Sequence, residues 1–347
     1  MSMIRLKRKR RCNMCCLFGV LDFQQTLTRR QRQRLSTALS IAAQTRGTDA
    51  TGLAYISGNR LQICKAPRPA RAVHFRIPDD ARAIMGHTRM TTQGSASHNC
   101  NNHPFSGKAG HTRFALAHNG VLYNDRYLRH SLGLPATRIE TDSYVAVQLI
   151  ERRSTLDCST LRYMAEQIEG SFVFTILDQE NRLYVVKGDN PFCLWHFPRS
   201  HCYVYASTEA ILKEGLRRSR LRLGPHEHIP VRCGEILCLE AGRPITRDRF
   251  DDSRLPGVYS FTLWQGVNGC RCAPASRAED PYLEALRAVA PAFGYTGADL
   301  DRLVGQGFSP TEIEELFYCG QRPDRKGRTS HENSGYRALK TACSPGD

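Results

Sequence analysis

The apolar residues of this chain come in runs of strand length that are seldom followed by the helix a parallel sheet would need. Residues 15–22, 52–56, 61–66, 83–88, 114–117, 171–177, 183–187, 192–196 and 203–206 are short, apolar or alternating, and bounded by turn residues. Helical spacing intervenes only at intervals. It occurs at 28–44, where Leu35, Leu39, Ile41 and Ala42 recur, at 144–150 behind a Thr141-Asp142-Ser143 cap signature, at 161–168, and from Glu209 to Glu214. Without a regular strand–helix–strand beat a doubly wound parallel sheet is excluded, and the pattern predicts an α+β protein.

The pattern changes along the chain. Residues 95–110 are rich in Ser, Asn, His and Gly with almost no apolar period, and read as a long irregular loop of the kind kept for function. After residue 250 a loop-like stretch leads to three short amphipathic segments at 281–290, 297–306 and 309–319, the last opening with Ser309 as N-cap and Pro310 at the first helical position. The expected division is a basic extension at 1–14, a main domain at 15–250, a linker and small helical region at 251–320, and a disordered polar tail at 321–347.

A formal charge of +16 raises the question of nucleic acid. The basic blocks at 5–11, 217–222 and 322–328 do not interleave with aromatics, and no helix-turn-helix or zinc-finger spacing accompanies them, so nucleic acid is not expected as a partner. The 14 cysteines lack the dense spacing of a disulfide scaffold; Cys15-Cys16 and Cys270-Arg271-Cys272 have no second pair at zinc spacing. Reduced thiols and no bound metal are expected. No apolar stretch is long enough to span a membrane, and the signal-like start is broken by Asp22 without a cleavage site. The expected location is the cytoplasm.

Separated motifs carry the chemistry. They are Met14-Cys15-Cys16-Leu17-Phe18-Gly19, Arg46-Gly47-Thr48-Asp49-Ala50-Thr51-Gly52, Gly86-His87-Thr88-Arg89-Met90-Thr91-Thr92-Gln93-Gly94, Asn101-Asn102-His103-Pro104, Ala117-His118-Asn119-Gly120 and Thr141-Asp142-Ser143. Each has a plain reading when taken alone: Cys15 a small buried apolar residue, Asn119-Gly120 a hairpin turn, Arg89 a surface arginine, Asp142 a helix-capping residue. In this order and spacing they resemble the class II glutamine amidotransferases, over roughly residues 15–240.

The resemblance implies a four-layer αββα sandwich with N-terminal-nucleophile chemistry. Cys15 would attack the side-chain amide of L-glutamine, forming a γ-glutamyl thioester and releasing ammonia and then L-glutamate, without cofactor or metal. A terminal thiol suits this work because its own α-amine, with an unperturbed pKa of about 7.7–8.0, can take the thiol proton and return it to the leaving ammonia. Asn119 and Gly120, on a flexible turn, would supply the oxyanion donors; Arg89 would grip the substrate carboxylate and Asp142 its ammonium. Thr92 and Gly94 would line the pocket with backbone, Arg46 and Asp49 would buttress the nucleophile strand, and His87 and His118 would support it.

Three departures stand out: Cys16 in place of Gly, Met90 in place of an aromatic, and residues 1–14 ahead of Cys15. Because an acylated amine is no base, either translation begins at Met14 or the extension is removed. No nucleotide- or sugar-binding segment is legible after residue 250, so a synthetase partner in trans is expected to take the ammonia. Two alternatives stay open: a stand-alone γ-glutamyl amide hydrolase, and a non-catalytic glutamine-sensing or partner-docking module.

Overall fold

The computed structural model describes residues 15–255 and 295–305, together with positions 283, 286, 287, 290–293 and 313. The extension 1–14, most of the segments at 281–290 and 309–319, and the tail 321–347 lie outside the described residues.

The unit Asn13–Ala275 is built on two antiparallel sheets. The 7-stranded sheet is ordered β11-β9-β10-β1-β4-β2-β3, and the 6-stranded sheet β13-β12-β8-β7-β6-β5. In the first, β1 (Cys16–Leu21) lies between β4 (Ala83–Arg89) and β10 (Cys202–Ala206), with β2 (Ala50–Ser57) and β3 (Arg60–Ala66) on one side and β9 (Cys193–Phe197) and β11 (Glu227–Ile229) on the other. The second holds β5 (Phe105–Ala109), β6 (Thr112–Leu122), β7 (Gly170–Asp178), β8 (Leu183–Lys187), β12 (Glu235–Leu239) and β13 (Thr246–Arg249).

Period-2 alternation assigns each strand residue to one face. Leu17, Leu21, Ala83, Met85, Ala115, Ala117, Val173 and Val185 form a dry core between the sheets. Cys16, Phe18 and Val20 point the other way, to Leu35 and Leu39 of α1 (Arg29–Ala43) and Ile211 and Leu212 of α5 (Glu209–Ser219). Phe114, Leu116, Phe172 and Phe174 point to Val145 and Leu149 of α3 (Tyr144–Arg153) and Leu161 and Met164 of α4 (Cys158–Gln167). The layers therefore run helix, sheet, sheet, helix, the expected α+β sandwich.

Several expectations are corrected. The irregular stretch 95–110 ends in a strand, β5, whose Phe-Ser-Gly-Lys-Ala sequence alternates buried and exposed but has too few large side chains to announce itself. Asn119-Gly120 is not a turn: β6 runs through it, paired with β7 from Phe114↔Asp178 to Leu122↔Gly170. Ser143 occupies the N-cap position of α3 without capping it, because its hydroxyl is bonded to His118 and Asp142 instead. α2 (Asp125–Ser131) and strands β11 to β13 were not among the expected elements, although Ile236 to Leu239 of β12 form a buried apolar run.

In the second unit, α6 (Gly297–Gly305) occupies the expected amphipathic segment and buries Leu300 and Leu303. Among the described residues no helix is long and apolar enough to cross a membrane.

Candidate active site

At one end of the inter-sheet layer apolar residues give way to polar ones. By the alternation that turns Leu17, Met85 and Ala117 inward, Cys15 ahead of β1, Arg89 at the end of β4 and Asn119 on β6 also belong to inward-facing positions. Arg89 and Asn119 are buried.

Cys15 donates its thiol to the Met90 carbonyl at 3.4 Å. Burial pushes the thiol pKa up to about 11; the Met90 bond and the Arg89 and Arg46 guanidiniums pull it down, and Asp142 pushes it up. The turn 46–49 presses against this strand end. A Cβ on Gly47 would lie 2.5 Å from the Arg89 carbonyl carbon, so only glycine allows the approach. Asp49 then donates its N–H to Arg89 O (3.0 Å) and accepts from Thr91 N (2.8 Å). Asp49 thus braces the strand that receives the thiol, while Arg46 acts on Cys15 by charge.

The Arg89 fork is partly committed inside the protein. It donates to Asn102 Oδ1 at 2.7 Å, Gln93 O at 2.5 Å and Gly94 O at 3.2 Å. Gly94 has a φ of +71°, a conformation glycine adopts freely, and Thr92 is exposed. Asn102 is itself held through Nδ2 to Ala96 O (2.8 Å), and its carbonyl accepts from Lys65 Nζ (2.9 Å). Asn101 pairs with Glu140 in both directions, Nδ2 to Oε2 at 2.7 Å and Oδ1 from Glu140 N at 2.9 Å, while Thr141 Oγ1 donates to Asn101 O at 2.9 Å. The polar loop before β5 is bolted to the segment that carries Asp142.

Asp142 is 2% exposed. It accepts from Leu122 N at 2.7 Å and Ser143 Oγ at 3.2 Å, and burial raises its pKa. Among the described residues it forms no ion pair, so a buried carboxylate there lacks a cation.

The Asn119 side-chain amide is 0% exposed, and among the described residues neither Nδ2 nor Oδ1 has a partner. Its carbonyl accepts from Asn190 Nδ2 at 3.0 Å. Gly120 has a φ of +145°, and a Cβ there would fall 1.8 Å from Ser171 O. His87 Nε2 bonds the His118 carbonyl (2.9 Å) across the sheet interface, and His118 Nδ1 bonds Ser143 Oγ (2.8 Å). Burial lowers both imidazoles to about 3, so they are neutral braces between the two halves of the site.

The family described as a glutamine amidotransferase domain matches residues 87–214. The chain is similar to glutamine–fructose-6-phosphate aminotransferase [isomerizing] of Sulfurisphaera tokodaii, 28% identical over 187 residues that cover 51% of this chain and 31% of that one. The Staphylococcus aureus enzyme of the same name is 28% identical over 215 residues, covering 59% and 35%. Over this region the chain resembles the glutamine amidotransferases. It spans about a third of the length of these curated relatives.

The fold of the domain is shared with solved structures. Glutamine phosphoribosylpyrophosphate amidotransferase from B. subtilis, complexed with ADP and GMP, superposes with a TM-score of 0.54 at 18% identity, covering 68% of this chain and 49% of that one. An allosteric regulatory enzyme of purine biosynthesis gives 0.56 at 20%, with the same coverage.

Within the unit Asn13–Ala275, the structure gathers Cys15, Arg46, Asp49, Arg89, Gly94, Asn119, Gly120 and Asp142 at one end of the sandwich, with His87 and His118 behind them. Thr92 is in the same loop but turned to solvent. Sequence reasoning quoted Asn101 and Asn102 without giving either a role, and missed Glu140, Lys65 and Asn190. Only the first two had a signal, their place in a motif; the others act across more than 30 positions of chain.

Proposed function

We propose that this domain hydrolyses L-glutamine to L-glutamate and ammonia through a γ-glutamyl thioester on Cys15. The observation that carries the reading is the Asn119 amide: fully buried, beside a positive-φ glycine, with both polar atoms unpartnered among the described residues. An unsatisfied buried polar group costs about 1–3 kcal/mol, a cost that an oxyanion accepting from Nδ2 would offset for the donor half of the amide.

The α-amine of Cys15 takes the thiol proton, and the thiolate attacks the amide carbon. The carbonyl π pair moves to oxygen, where Asn119 Nδ2–H and Gly120 N–H receive it. The ammonium returns its proton to the departing nitrogen, ammonia leaves, and the thioester remains. Water, deprotonated by the same amine, attacks that thioester; collapse expels the thiolate, which recovers the proton, and releases glutamate. Among the described residues the Cys15 thiol has a hydrogen bond only to a carbonyl and its pKa is pushed up, so an added base is needed. The amine meets that need once residues 1–14 are absent from the active form.

Asp142, which forms no ion pair among the described residues, suits the substrate ammonium, and the remaining Arg89 donors suit its carboxylate. Ammonia would pass to an acceptor on a separate polypeptide. Every described cysteine is free, in keeping with a reducing cytoplasm.

The test is ammonia release from glutamine and from a panel of γ-glutamyl amides, by protein whose first residue is Cys15. Cys15→Ala should abolish release while Cys16→Ala, whose side chain faces the helix layer, retains much of it. Equal loss in both variants would refute the assignment of the nucleophile. Preference for a larger amide over glutamine would refute the substrate.

A further inference from the structure

Gly188-Asp189-Asn190, following β8, belongs to none of the motifs that mark the site, yet it is clamped against them. Gly188 N donates to Phe172 O (3.1 Å), and Phe172 N donates to Asp189 Oδ1 (3.0 Å). The clamp needs glycine, since a Cβ on Gly188 would lie 2.5 Å from Phe172 O. Phe172 is the register partner of Gly120, and the turn carries Asn190 to the same place. Asn190 is buried, its Nδ2 donates to the Asn119 carbonyl at 3.0 Å, and that nitrogen would be 2.7 Å from a Cβ on Gly120.

The Asn119 carbonyl and the Gly120 N–H belong to one planar trans peptide, so they point in opposite directions. Fixing the carbonyl therefore fixes the N–H. Phe172 spends its own N–H and C=O on the turn, away from β6, so Gly120 and Phe172 form a non-hydrogen-bonded pair of the ladder. The Gly120 N–H accordingly points off the opposite edge of β6. On that edge β5 pairs only between Leu116 and Thr112, and stops short of Gly120.

We propose that Asn190 is the positioning residue for the oxyanion site: by holding the Asn119 carbonyl it sets the plane of the Asn119–Gly120 peptide and aims the Gly120 N–H at the reacting carbonyl oxygen. This rests on the reading of the site given above. Asn190 touches neither substrate nor thiol in this role. It also polarises the peptide, because a donor on the carbonyl strengthens the N–H at the other end.

The test uses the otherwise complete chain beginning at Cys15. Asn190→Asp is nearly isosteric but has no donor for the Asn119 carbonyl; Asn190→Ser keeps one on a shorter arm. Asn190→Asp should lower kcat for glutamine by between about 10- and 100-fold, the scale of a misplaced or lost donor, with KM within about twofold. The aldehyde analogue of glutamine, which adds to the thiol and places an oxyanion in the site, should inhibit the variant more weakly by a similar factor. L-Glutamate, which forms no tetrahedral adduct, should bind as before, and Asn190→Ser should recover part of kcat.

An Asn190→Asp enzyme with unchanged kcat would overturn the inference. So would equal weakening of aldehyde and glutamate binding, which marks a merely structural residue. Hydrolysis that persists in Cys15→Ala would overturn the reading of the site beneath it, a result that the Asn190 variants do not produce.

Discussion

The two ends of β1 each meet a buried acidic residue and a buried arginine, and the two sites are built in opposite ways. After Leu21, Asp22 is closed: its carboxylate accepts from Arg32 Nη1 at 2.8 Å, Thr26 N at 2.9 Å, Thr26 Oγ1 at 3.0 Å and Leu27 N at 3.1 Å. Arg32 also donates from Nη1 to the Leu27 carbonyl and from Nη2 to the Asp79 carbonyl, each at 2.5 Å, and only its Nε has no partner among the described residues. Before Cys16 the site is open. Among the described residues Asp142 takes uncharged donors and forms no ion pair, Arg89 holds a loop and makes no salt bridge to a carboxylate, and the Asn119 side-chain amide has no partner. Desolvating a charge is tolerable only when the protein, or a ligand, supplies its partners. The closed end therefore serves the fold, ordering the turn into α1, and the open end is left for a ligand to complete.

The largest effect that would sharpen this contrast is at the closed end. Arg32→Ala strands a buried carboxylate and should cost about 3–5 kcal/mol of folding stability. Denaturant midpoints would read the loss, while kcat and KM of the protein that remains folded should match the parent. A variant of normal stability and altered kinetics would break the distinction between the two ends.

Asn119→Ala should do the reverse. It removes an unpartnered amide, so stability should hold, whereas kcat should fall by about 10²–10³, the scale for one oxyanion donor. If only KM changes, Asn119 contacts the ground state and the oxyanion role is lost.

Asp142→Asn comes third. A hydrogen bond to a charged group is worth about 1.5–3 kcal/mol, so KM for glutamine should rise by roughly 10- to 100-fold with little change in kcat. Because burial raises the Asp142 pKa, its carboxylate is neutralised at a higher pH than an ordinary aspartate. In the parent enzyme KM should therefore rise on acidification before the usual carboxylate range is reached; in the variant this limb should vanish. A parent whose KM is flat down to that range would show that Asp142 does not hold the ammonium.

Much of the fold was legible because burial leaves a periodic trace. Cys16, Phe18 and Val20 against Leu17 and Leu21 record a strand buried on both faces, and Leu35 and Leu39 record the inner side of α1. β5 left almost none, since Ser106 and Lys108 face solvent and only Phe105 among its inward residues is large. Asn119-Gly120 misled for a different reason. The pair favours a turn locally, but pairing of β6 with β7 from Phe114 to Leu122 outweighs that preference, and the positive φ of Gly120 is absorbed within the strand.

The sequence by itself determined the residue types, their order and their parity: a thiol at 15, a guanidinium at 89 and an amide at 119, each in phase with the inward residues of its strand. What only the tertiary structure decided is which of these groups are left without partners. That Asp22 finds Arg32 within one turn and helix, whereas Asp142 forms no ion pair among the described residues, depends on how two sheets stack. So does the reach of Asn190 to a carbonyl 71 positions away. Periodicity is a property of neighbours along the chain; hydrogen-bond satisfaction is a property of neighbours in space, and the chemistry of this site resides in the latter.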